Sequence, residues 1–422
     1  MTHSRMAAYR LCERLLNGAY SNLADVKCDN ERDRAFASAL SMKVLEHRLT
    51  LEHIARSFIR KPLKALDKEV YTVLLMGLCE LLYMDTPDSA AVNENVELIK
   101  ALKKSSAQGL INAVLRNFIR SGKKIPDAKG SRAKELEIRY SVPEVLIDSV
   151  ISEHGEENAM IWLDNTFDRT VWVRVNPLKA HDSEIAELLN AKSSDVPHGL
   201  SCEKPMTESD AFREGKYHVQ GLSSQICAEL TGAKPGDTVI DTCSAPGGKT
   251  FTMCEKMENK GVVYSCDKTE KRTGLVEKGA QRLGLDIIRT KVMDSRIFDE
   301  TLPPADVVLC DVPCSGYGVI SSKPEIRYKP LKEFDKLPEI QYNILRSSSR
   351  YVRPGGRLIY STCTIRKAEN EDVCRAFLDE HKDFRGAVIN DPVLAGYMNG
   401  NFMNTIFAPG CDGFFVCVME RT

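Results

Sequence analysis

From about residue 220 onward, short apolar runs alternate regularly with helical stretches, and this alternation limits the fold more than any other feature of the chain. Helical stretches such as 268–283 and 334–351 separate five apolar runs. The predicted strands are Thr238–Asp241, Val262–Asp267, Ile287–Val292, Val307–Asp311 and Leu358–Tyr360. Such alternation is typical of an α/β domain, an open parallel sheet with helices on both faces. Two further strands, predicted at 405–408 and 414–419, would close the sheet edge as a hairpin.

Residues 1 to about 120 follow a different pattern, in which apolar residues recur at helical spacing. Ile111, Val114, Leu115 and Phe118 share one face of a predicted helix. The segment 70–82 repeats this spacing, and strand-like alternation is missing. The front of the chain is therefore predicted to be an all-α helix bundle.

Between these two regions lies a stretch of mixed character. The segment 121–131 is polar and rich in residues that break helices, as expected of a linker. It is followed by a helix predicted from Pro143, a strand over 171–175 and a helix over 183–190. The 422-residue chain is thus predicted to contain three domains. They are a helical domain at 1–125, a small α/β insert at 132–215 and a larger α/β domain at 216–422.

Charge and composition indicate which kind of partner the chain binds and in which cellular compartment it works. Residues 1–125 carry 20 Lys and Arg against 14 Asp and Glu, which favours an anionic partner such as RNA, or else a solvated helical face. The absence of a long apolar stretch or a secretory signal predicts a cytoplasmic protein. The 14 cysteines show no zinc-site spacing, so no metal is expected and most thiols should be reduced.

A glycine-rich loop follows the first predicted strand of the larger domain. Its residues are Cys243, Ser244, Ala245, Pro246, Gly247, Gly248 and Lys249. Ligands of open parallel sheets bind beyond the carboxyl ends of the strands. Two glycines let the backbone approach a ligand, and the helix that starts at the lysine favours an anionic group. The spacing fits neither a Walker A motif nor the dinucleotide motif, so the loop predicts another nucleotide-like cofactor.

Three aspartates follow successive strands of the same domain. Asp267, Asp294 and Asp311 close the second, third and fourth strand regions. Carboxylates in these places suit ribose hydroxyls, an adenine amine and a positive charge, and S-adenosylmethionine offers all three. An aspartate after a strand often only caps the next helix. Three of them beside the glycine-rich loop nevertheless favour this cofactor.

Two cysteines lie just past strand ends, in Asp311–Gly316 and Ser361–Thr364. Methylating carbon 5 of a cytosine requires a thiolate that bonds carbon 6, a carboxyl near the ring nitrogen and a further group that assists release of the product. Cys363, Asp311 and Cys314 can fill these roles. A lone cysteine is more often a packed apolar residue, and Cys310 is interpreted in that way.

At these residues the sequence resembles the Nol1/Nop2/Sun family of RNA cytosine-5 methyltransferases. The segment 241–250 matches the cofactor loop of that family, and the two cysteine segments match its Pro-Cys and Thr-Cys motifs. The resemblance implies a Rossmann-like domain that binds S-adenosylmethionine, and an RNA-recognition-like insert before it. It also implies that Cys363 is the nucleophile, that Cys314 assists product release and that Asp267, Asp294 and Asp311 contact the cofactor.

The segments 32–35, 90–97 and 109–116 resemble a NusB-type helical RNA-binding domain. Within the family, a NusB-like domain joined to the methyltransferase implies an enzyme that modifies a cytosine in 16S ribosomal RNA, free or in a partly assembled small subunit. We therefore expect a cytoplasmic, monomeric 16S ribosomal RNA methyltransferase. A transfer RNA methyltransferase of the same family and a non-catalytic RNA-binding factor stay open as alternatives. A small-molecule methyltransferase would not need the basic helical domain.

Overall fold

The computed structural model describes residues 3–18, 28, 30–398 and 402–422. The chain divides into two compact units. The first unit comprises Met1–Gly155 and Ser322–Pro330, and the second comprises Glu156–Ser321 and Leu331–Thr422. Among the described residues, no helix is both long and apolar enough to span a membrane.

The first unit is helical, as predicted. Its helices are α1 (His3–Leu16), α2 (Glu31–Glu46), α3 (Arg48–Phe58), α4 (Lys68–Tyr83), α5 (Asp88–Ala101), α6 (Gln108–Arg120) and α7 (Arg132–Tyr140). Helices α1 to α6 pack around one apolar core, and α4 is buried along most of its length. The predicted face of α6, from Ile111 to Phe118, is buried in that core. The predicted linker lies between α6 and α7, where Ser131 caps α7 by accepting a hydrogen bond from the backbone N–H of Lys134.

The short segment Ser322–Pro330 belongs to the first unit, although it follows the first cysteine loop in the sequence. The side chain of Arg327 is 1% exposed and donates to the backbone carbonyls of Glu46 (3.1 Å) and Tyr140 (3.3 Å). The hydroxyl of Tyr328 donates to the carbonyl of Leu45 at 2.7 Å. The last carbonyls of a helix need donors from outside the regular helical pattern, and these bonds supply such donors at the ends of α2 and α7.

Helix α8 (Glu144–Asp164) is interrupted by non-helical angles at Gly155, where the first unit gives way to the second. A small antiparallel sheet follows, with strand order β2-β3-β1-β4. Its elements are β1 (Val171–Val175), α9 (Asp182–Leu189), β2 (Lys192–Ser193), β3 (Gly199–Cys202), α10 (Asp210–Arg213) and β4 (Tyr217–Val219). The strand and helix predicted at 171–175 and 183–190 are present as β1 and α9.

The second unit is dominated by a mixed sheet with the order β10-β12-β9-β8-β5-β6-β7, and β11 pairs with β12. The strands are β5 (Thr238–Asp241), β6 (Val262–Asp267), β7 (Ile288–Val292), β8 (Ala305–Asp311), β9 (Val352–Thr362), β10 (Phe384–Gly386), β11 (Met403–Ile406) and β12 (Phe414–Arg421). The helices are α11 (Leu222–Leu230), α12 (Gly248–Lys256), α13 (Glu270–Leu283), α14 (Leu337–Ser349), α15 (Glu371–Glu380) and α16 (Pro392–Tyr397). Strands β5 to β9 are parallel, which confirms the predicted α/β fold.

Alternate residues of these strands enter two different apolar cores, one on each face of the sheet. Along β8, Val307 and Leu309 join one core, whereas Val308 and Cys310 join the other. This is the pattern of a sheet buried on both faces. It also accounts for Cys310, which is 0% exposed and packs as an apolar residue.

The predicted hairpin of β11 and β12 is present at one edge of the sheet, where the short strand β10, which was not predicted, also pairs with β12. Strand β12 pairs with β9 on one side and with β10 and β11 on the other. The three residues of β10 are too few to give a pattern in the sequence. The neighbours of β5 are β6 and β8, so the strand order reverses between β5 and β8. Ligand sites of open α/β sheets lie at such a point.

Candidate active site

The two cysteine loops meet at the carboxyl ends of neighbouring strands. Asp311 at the end of β8 lies opposite Ser361 in β9. Cys314 and Cys363 follow shortly after these residues, and their Sγ atoms are 3.3 Å apart. Both cysteines are partly exposed. The structure thus brings together two predicted residues that are 49 positions apart in the sequence.

Polar contacts next to each cysteine join the two loops. The hydroxyls of Ser315 and Thr364 lie 2.7 Å apart, and the backbone N–H of Gly318 donates to the carbonyl of Cys363 at 3.0 Å. A Cβ atom at Gly318 would lie 1.6 Å from the carbonyl oxygen of Gly413, so only glycine fits there. The distance between the two sulfur atoms is therefore set by several contacts that do not involve sulfur.

The pKa of the Cys314 thiol is raised well above its usual value. Its hydrogen bond with Cys363 is the main cause, followed by burial and by the negative charge that Cys363 can carry. A negative charge on Cys363 therefore favours the protonated form of Cys314, and this influence ends when the Cys363 sulfur carries no charge. This arrangement suits a pair in which one sulfur attacks and the other acts later, and the roles of both cysteines stay predictions.

Lys249 joins the cofactor loop to the cysteine loops. Its Nζ donates to Oδ2 of Asp311 at 2.7 Å and lies 4.9 Å from the centre of the Phe414 ring. Burial alone would lower the pKa of Lys249, but the charge of Asp311 and its hydrogen bond raise it above its usual value. A permanent positive charge therefore lies beside the carboxyl that we predict to face the substrate.

The cofactor loop is held against the ends of β5 and β6. The backbone N–H of Ser244 donates to the carbonyl of Cys266 at 2.9 Å, and that of Ala245 donates to Oδ2 of Asp267 at 3.1 Å. Gly247 has φ +115°, a conformation that other residues rarely adopt, and a Cβ there would meet the ring of Phe251 at 2.4 Å. The loop therefore passes close to this ring at the start of α12.

The three predicted acidic residues differ in exposure. The side chain of Asp267 is 6% exposed and accepts from Arg272, whereas those of Asp294 and Asp311 are 25% and 30% exposed. Hydrogen bonds from Arg296 lower the pKa of Asp294 to about 2, so this carboxylate is charged at any working pH. Such carboxylates accept hydrogen bonds from hydroxyl groups and attract cations. These residues therefore fit the ribose hydroxyls and the positive charge of S-adenosylmethionine.

A buried carboxyl that the sequence analysis did not single out supports the cofactor loop. Asp241, at the end of β5, is 1% exposed and accepts from the hydroxyl of Thr250 at 2.7 Å. Burial raises its pKa to about 7, and the hydrogen bond from Thr250 opposes that rise. The position of Asp241 at a strand end was a signal for this residue, because Asp267 and Asp311 were recognised in the same way.

Two more residues near the cysteines were missed. Glu369 and Gln341 are 0% exposed, and both bond the backbone next to Cys314. Glu369 lies in a polar stretch after β9, and Gln341 lies in α14. No local pattern distinguishes them from surface residues.

Comparison with known proteins gives two family matches. The family described as 16S rRNA methyltransferase RsmB/F matches residues 229–420, and the NusB family matches residues 2–120. A probable ribosomal RNA small subunit methyltransferase B of Bacillus subtilis (strain 168) is 33% identical, over 96% of this chain and 95% of its own. The ribosomal RNA small subunit methyltransferase B of Vibrio cholerae is 32% identical, over 92% and 90%. Both resemblances seen in the sequence are thereby confirmed.

Solved structures share the fold. The crystal structure of PH0851 superposes with a TM-score of 0.79 at 24% identity, over 100% of this chain and 99% of its own. The structure of NSun6 from Pyrococcus horikoshii, solved with SFG, gives a TM-score of 0.57 at 21% identity, over 66% and 98%. At such low identity these likenesses concern the fold alone.

Proposed function

This chain belongs to the 16S rRNA methyltransferase family RsmB/F, and from that membership we propose that it methylates carbon 5 of one cytosine in 16S ribosomal RNA through a transient bond to Cys363. It is an S-adenosylmethionine-dependent ribosomal RNA methyltransferase. The observation that carries the proposal is the pair of sulfur atoms 3.3 Å apart, beside the ion pair of Lys249 and Asp311. A protein that only bound RNA would need neither feature.

The first chemical step is assigned to Cys363. Its thiolate bonds carbon 6 of the cytosine, which breaks the double bond between carbons 5 and 6 and makes carbon 5 nucleophilic. Asp311 is assigned to the ring nitrogen on which charge develops. Lys249 and Ser361 hold its carboxyl from two sides, at 2.7 and 2.8 Å, so it is oriented before the base arrives.

The cofactor site is assigned to the loop Cys243–Lys249 together with Asp267, Asp294 and Asp311. When bound, S-adenosylmethionine supplies the methyl group from its sulfonium. Gly247 and Gly248 allow the cofactor to approach the backbone closely. The carboxylates accept hydrogen bonds from its hydroxyl groups and balance its positive charge. Because Lys249 contacts Asp311, the residues that hold the cofactor and those that hold the base adjoin each other.

Release of the product is assigned to Cys314. While Cys363 is bonded to carbon 6, it carries no negative charge to raise the pKa of Cys314, and the Cys314 thiol loses its proton to water. The resulting thiolate takes the proton from carbon 5, and the electron pair left on carbon 5 restores the double bond between carbons 5 and 6. The bond between carbon 6 and Cys363 breaks, which returns the thiolate. Without Cys314 the methylated base would stay bound to Cys363.

The RNA target follows from the relatives, which are named small subunit methyltransferases. The three domains at 1–125, 132–215 and 216–422 are proposed as RNA-binding helical domain, RNA-binding insert and catalytic domain. Carbon 6 is shielded in a duplex, so the target cytosine is proposed to be unpaired or flipped out of its stack. A monomer acting in the cytoplasm on free or partly assembled small-subunit RNA is the proposed working form.

The test measures methyl transfer from labelled S-adenosylmethionine to transcripts of 16S, 23S and transfer RNA. We expect label in 16S RNA with the wild type and with Cys310→Ala, a control on the same strand as Asp311. Cys363→Ala should lose activity by about 10⁴-fold or more, as expected when a nucleophile is removed. Cys314→Ala should give a protein–RNA adduct that survives denaturation.

Three outcomes would contradict the proposal. Label in transfer RNA alone would show that the enzyme is a transfer RNA methyltransferase of the same family. Undiminished activity of Cys363→Ala would remove the covalent mechanism. An adduct in Cys363→Ala and none in Cys314→Ala would exchange the two roles.

A further inference from the structure

The loop that carries Cys314 is held on both sides by residues from outside it. The carbonyl of Pro313 accepts a hydrogen bond from Nε2 of Gln341 at 3.0 Å. The backbone N–H of Ser315 donates to Oε2 of Glu369 at 2.9 Å. The peptide groups before and after the cysteine are therefore each fixed by a side chain of another element.

These two side chains also bond each other. Nε2 of Gln341 donates to Oε2 of Glu369 at 3.0 Å, and Arg366 donates to its other oxygen at 3.2 Å. Both Glu369 and Gln341 are 0% exposed. A buried carboxylate is costly unless donors surround it, and this one has three. A residue needed only to fill space would be apolar, so the charge indicates a task in ordering the loop.

We propose that Glu369 and Gln341 are positioning residues for Cys314, and that they control release of the product rather than attack on the base. The inference rests on the proposed function, because it assumes that Cys314 takes the proton from carbon 5. Cys363 lies directly after β9, which pairs with β12, and its carbonyl accepts from Gly318; neither contact uses the side chains of Glu369 and Gln341. Loosening the Cys314 loop should therefore affect the later step most.

Besides holding the loop through hydrogen bonds, Glu369 affects the pKa of Cys314 through its negative charge. It is one of the influences that raise the pKa of Cys314, after the hydrogen bond with Cys363, burial and the charge of Cys363. A sulfur that binds its proton more tightly is also a stronger base once it has lost that proton. Glu369 thus both places Cys314 and favours its acceptance of a proton.

The experiment compares single-turnover and multiple-turnover methylation in Glu369→Ala, Glu369→Gln and Gln341→Met. We expect methyl transfer in a single turnover to stay within about threefold of the wild type. Multiple turnover should fall by up to about 100-fold, the loss expected from a misplacement of about 1 Å. A methylated protein–RNA adduct should accumulate on denaturing gels. Glu369→Gln, which can still accept from Ser315, should restore part of the turnover.

Glu371→Gln is the matched control. It lies two residues after Glu369 and bonds Thr405 instead of the cysteine loop, so turnover should not change. Ser315→Ala provides a second probe of the loop, because it removes only the hydroxyl contact with Thr364. Thermal unfolding of each variant establishes that it is folded, and if Glu369→Ala is not, Gln341→Met and Ser315→Ala decide the question.

The inference is overturned if single and multiple turnover fall together in folded variants and no adduct accumulates. Glu369 and Gln341 would then only support the fold. Cys314→Ala in the same series separates this failure from failure of the proposed function. If Cys314→Ala traps an adduct and the other variants do not, only the positioning role is lost. If Cys314→Ala traps none, the role of Cys314 and this inference fall together.

Discussion

The two halves of the site are held together by different kinds of contact. The cysteine loops are held by buried groups, among them Thr364 and Glu369, which are 0% exposed. The cofactor half also uses ion pairs at the surface, where Arg272 and Arg296 hold carboxylates while their own side chains are 54% and 43% exposed. Bond formation requires sulfur atoms at a fixed distance, whereas a cofactor must enter and leave.

The two kinds of contact differ because water reaches the surface ion pairs but not the buried groups. A hydrogen bond inside the protein is not screened, and leaving one of its partners unpaired costs about 1–3 kcal/mol. An ion pair in contact with water is screened and is exchanged easily for contacts with a ligand. The comparison therefore predicts large effects for buried groups and small effects for the exposed arginines, regardless of their distance from the chemistry.

The largest effect is expected for a buried residue of the cofactor half. It tests whether burial, rather than membership of one half, determines how much a substitution costs. Asp241 belongs to the cofactor half, yet burial raises its pKa to about 7 from an ordinary value near 4. A carboxyl with a raised pKa in the folded state stabilises the fold fully at low pH, and this contribution is lost as pH rises from about 4 to about 7. Relative to Asp241→Asn, the wild type should lose up to about 4 kcal/mol of unfolding free energy across that window.

Urea unfolding of both proteins between pH 4.5 and 8 measures the difference directly. The subtraction removes the titration of every other group that the two proteins share. Parallel stability curves would mean that Asp241 is ionised in the folded protein at low pH, and burial would no longer explain the contrast.

A second prediction concerns the residue that joins the two halves. Lys249 belongs to the cofactor loop, but its side chain is 10% exposed and bonds Asp311. Lys249→Met should lower the rate of methyl transfer by about 100-fold, since it removes a fixed charge beside the developing charge of the substrate. Lys256→Met is the control, because Lys256 lies on the same helix and pairs with Glu229. A similar loss in both variants would point to the helix as a whole.

The sequence predicted the parallel sheet well because its inner strands, such as β5 and β8, are mostly buried and form short apolar runs. It failed where tertiary pairing overrides composition. Strand β9 was predicted over Leu358–Tyr360 but begins at Val352, although Pro354 and two glycines interrupt the apolar pattern. Strand β8 pairs along this extension, from Ala305 opposite Val352 and across a register shift. A single sequence does not reveal such a partner.

The candidate site shows the same limit. Cys314 and Cys363 were found because each follows a recognisable strand within a short motif. Glu369 and Gln341 were not, because a glutamate or glutamine in a polar segment is ordinarily exposed. Here α14 packs against β8, β9 and the segment 367–369, and both side chains are buried. Motifs thus locate the reacting groups, whereas the residues that position them depend on long-range contacts.

A third prediction examines the backbone of the cofactor loop. Gly247→Ala should destabilise the protein by about 1–3 kcal/mol, because φ is +115° and the new Cβ would meet the Phe251 ring. It should also weaken binding of S-adenosylmethionine, measured by calorimetry. Gly274→Ala, in the middle of α13 with open space around it, should instead stabilise by about 0.5–1 kcal/mol. Opposite signs in thermal unfolding would separate backbone strain from a general effect of alanine.

The smallest effect is expected for an exposed arginine of the cofactor half. Arg296→Ala removes the group that lowers the pKa of Asp294 to about 2. The carboxylate should stay ionised at pH 7, because its ordinary pKa is still about three units lower. The affinity for S-adenosylmethionine at physiological salt should therefore change by less than about threefold, with methyl transfer unaffected. A loss as large as that of Lys249→Met would place Arg296 in the catalytic machinery, and the division between a buried and an exchangeable half would no longer hold.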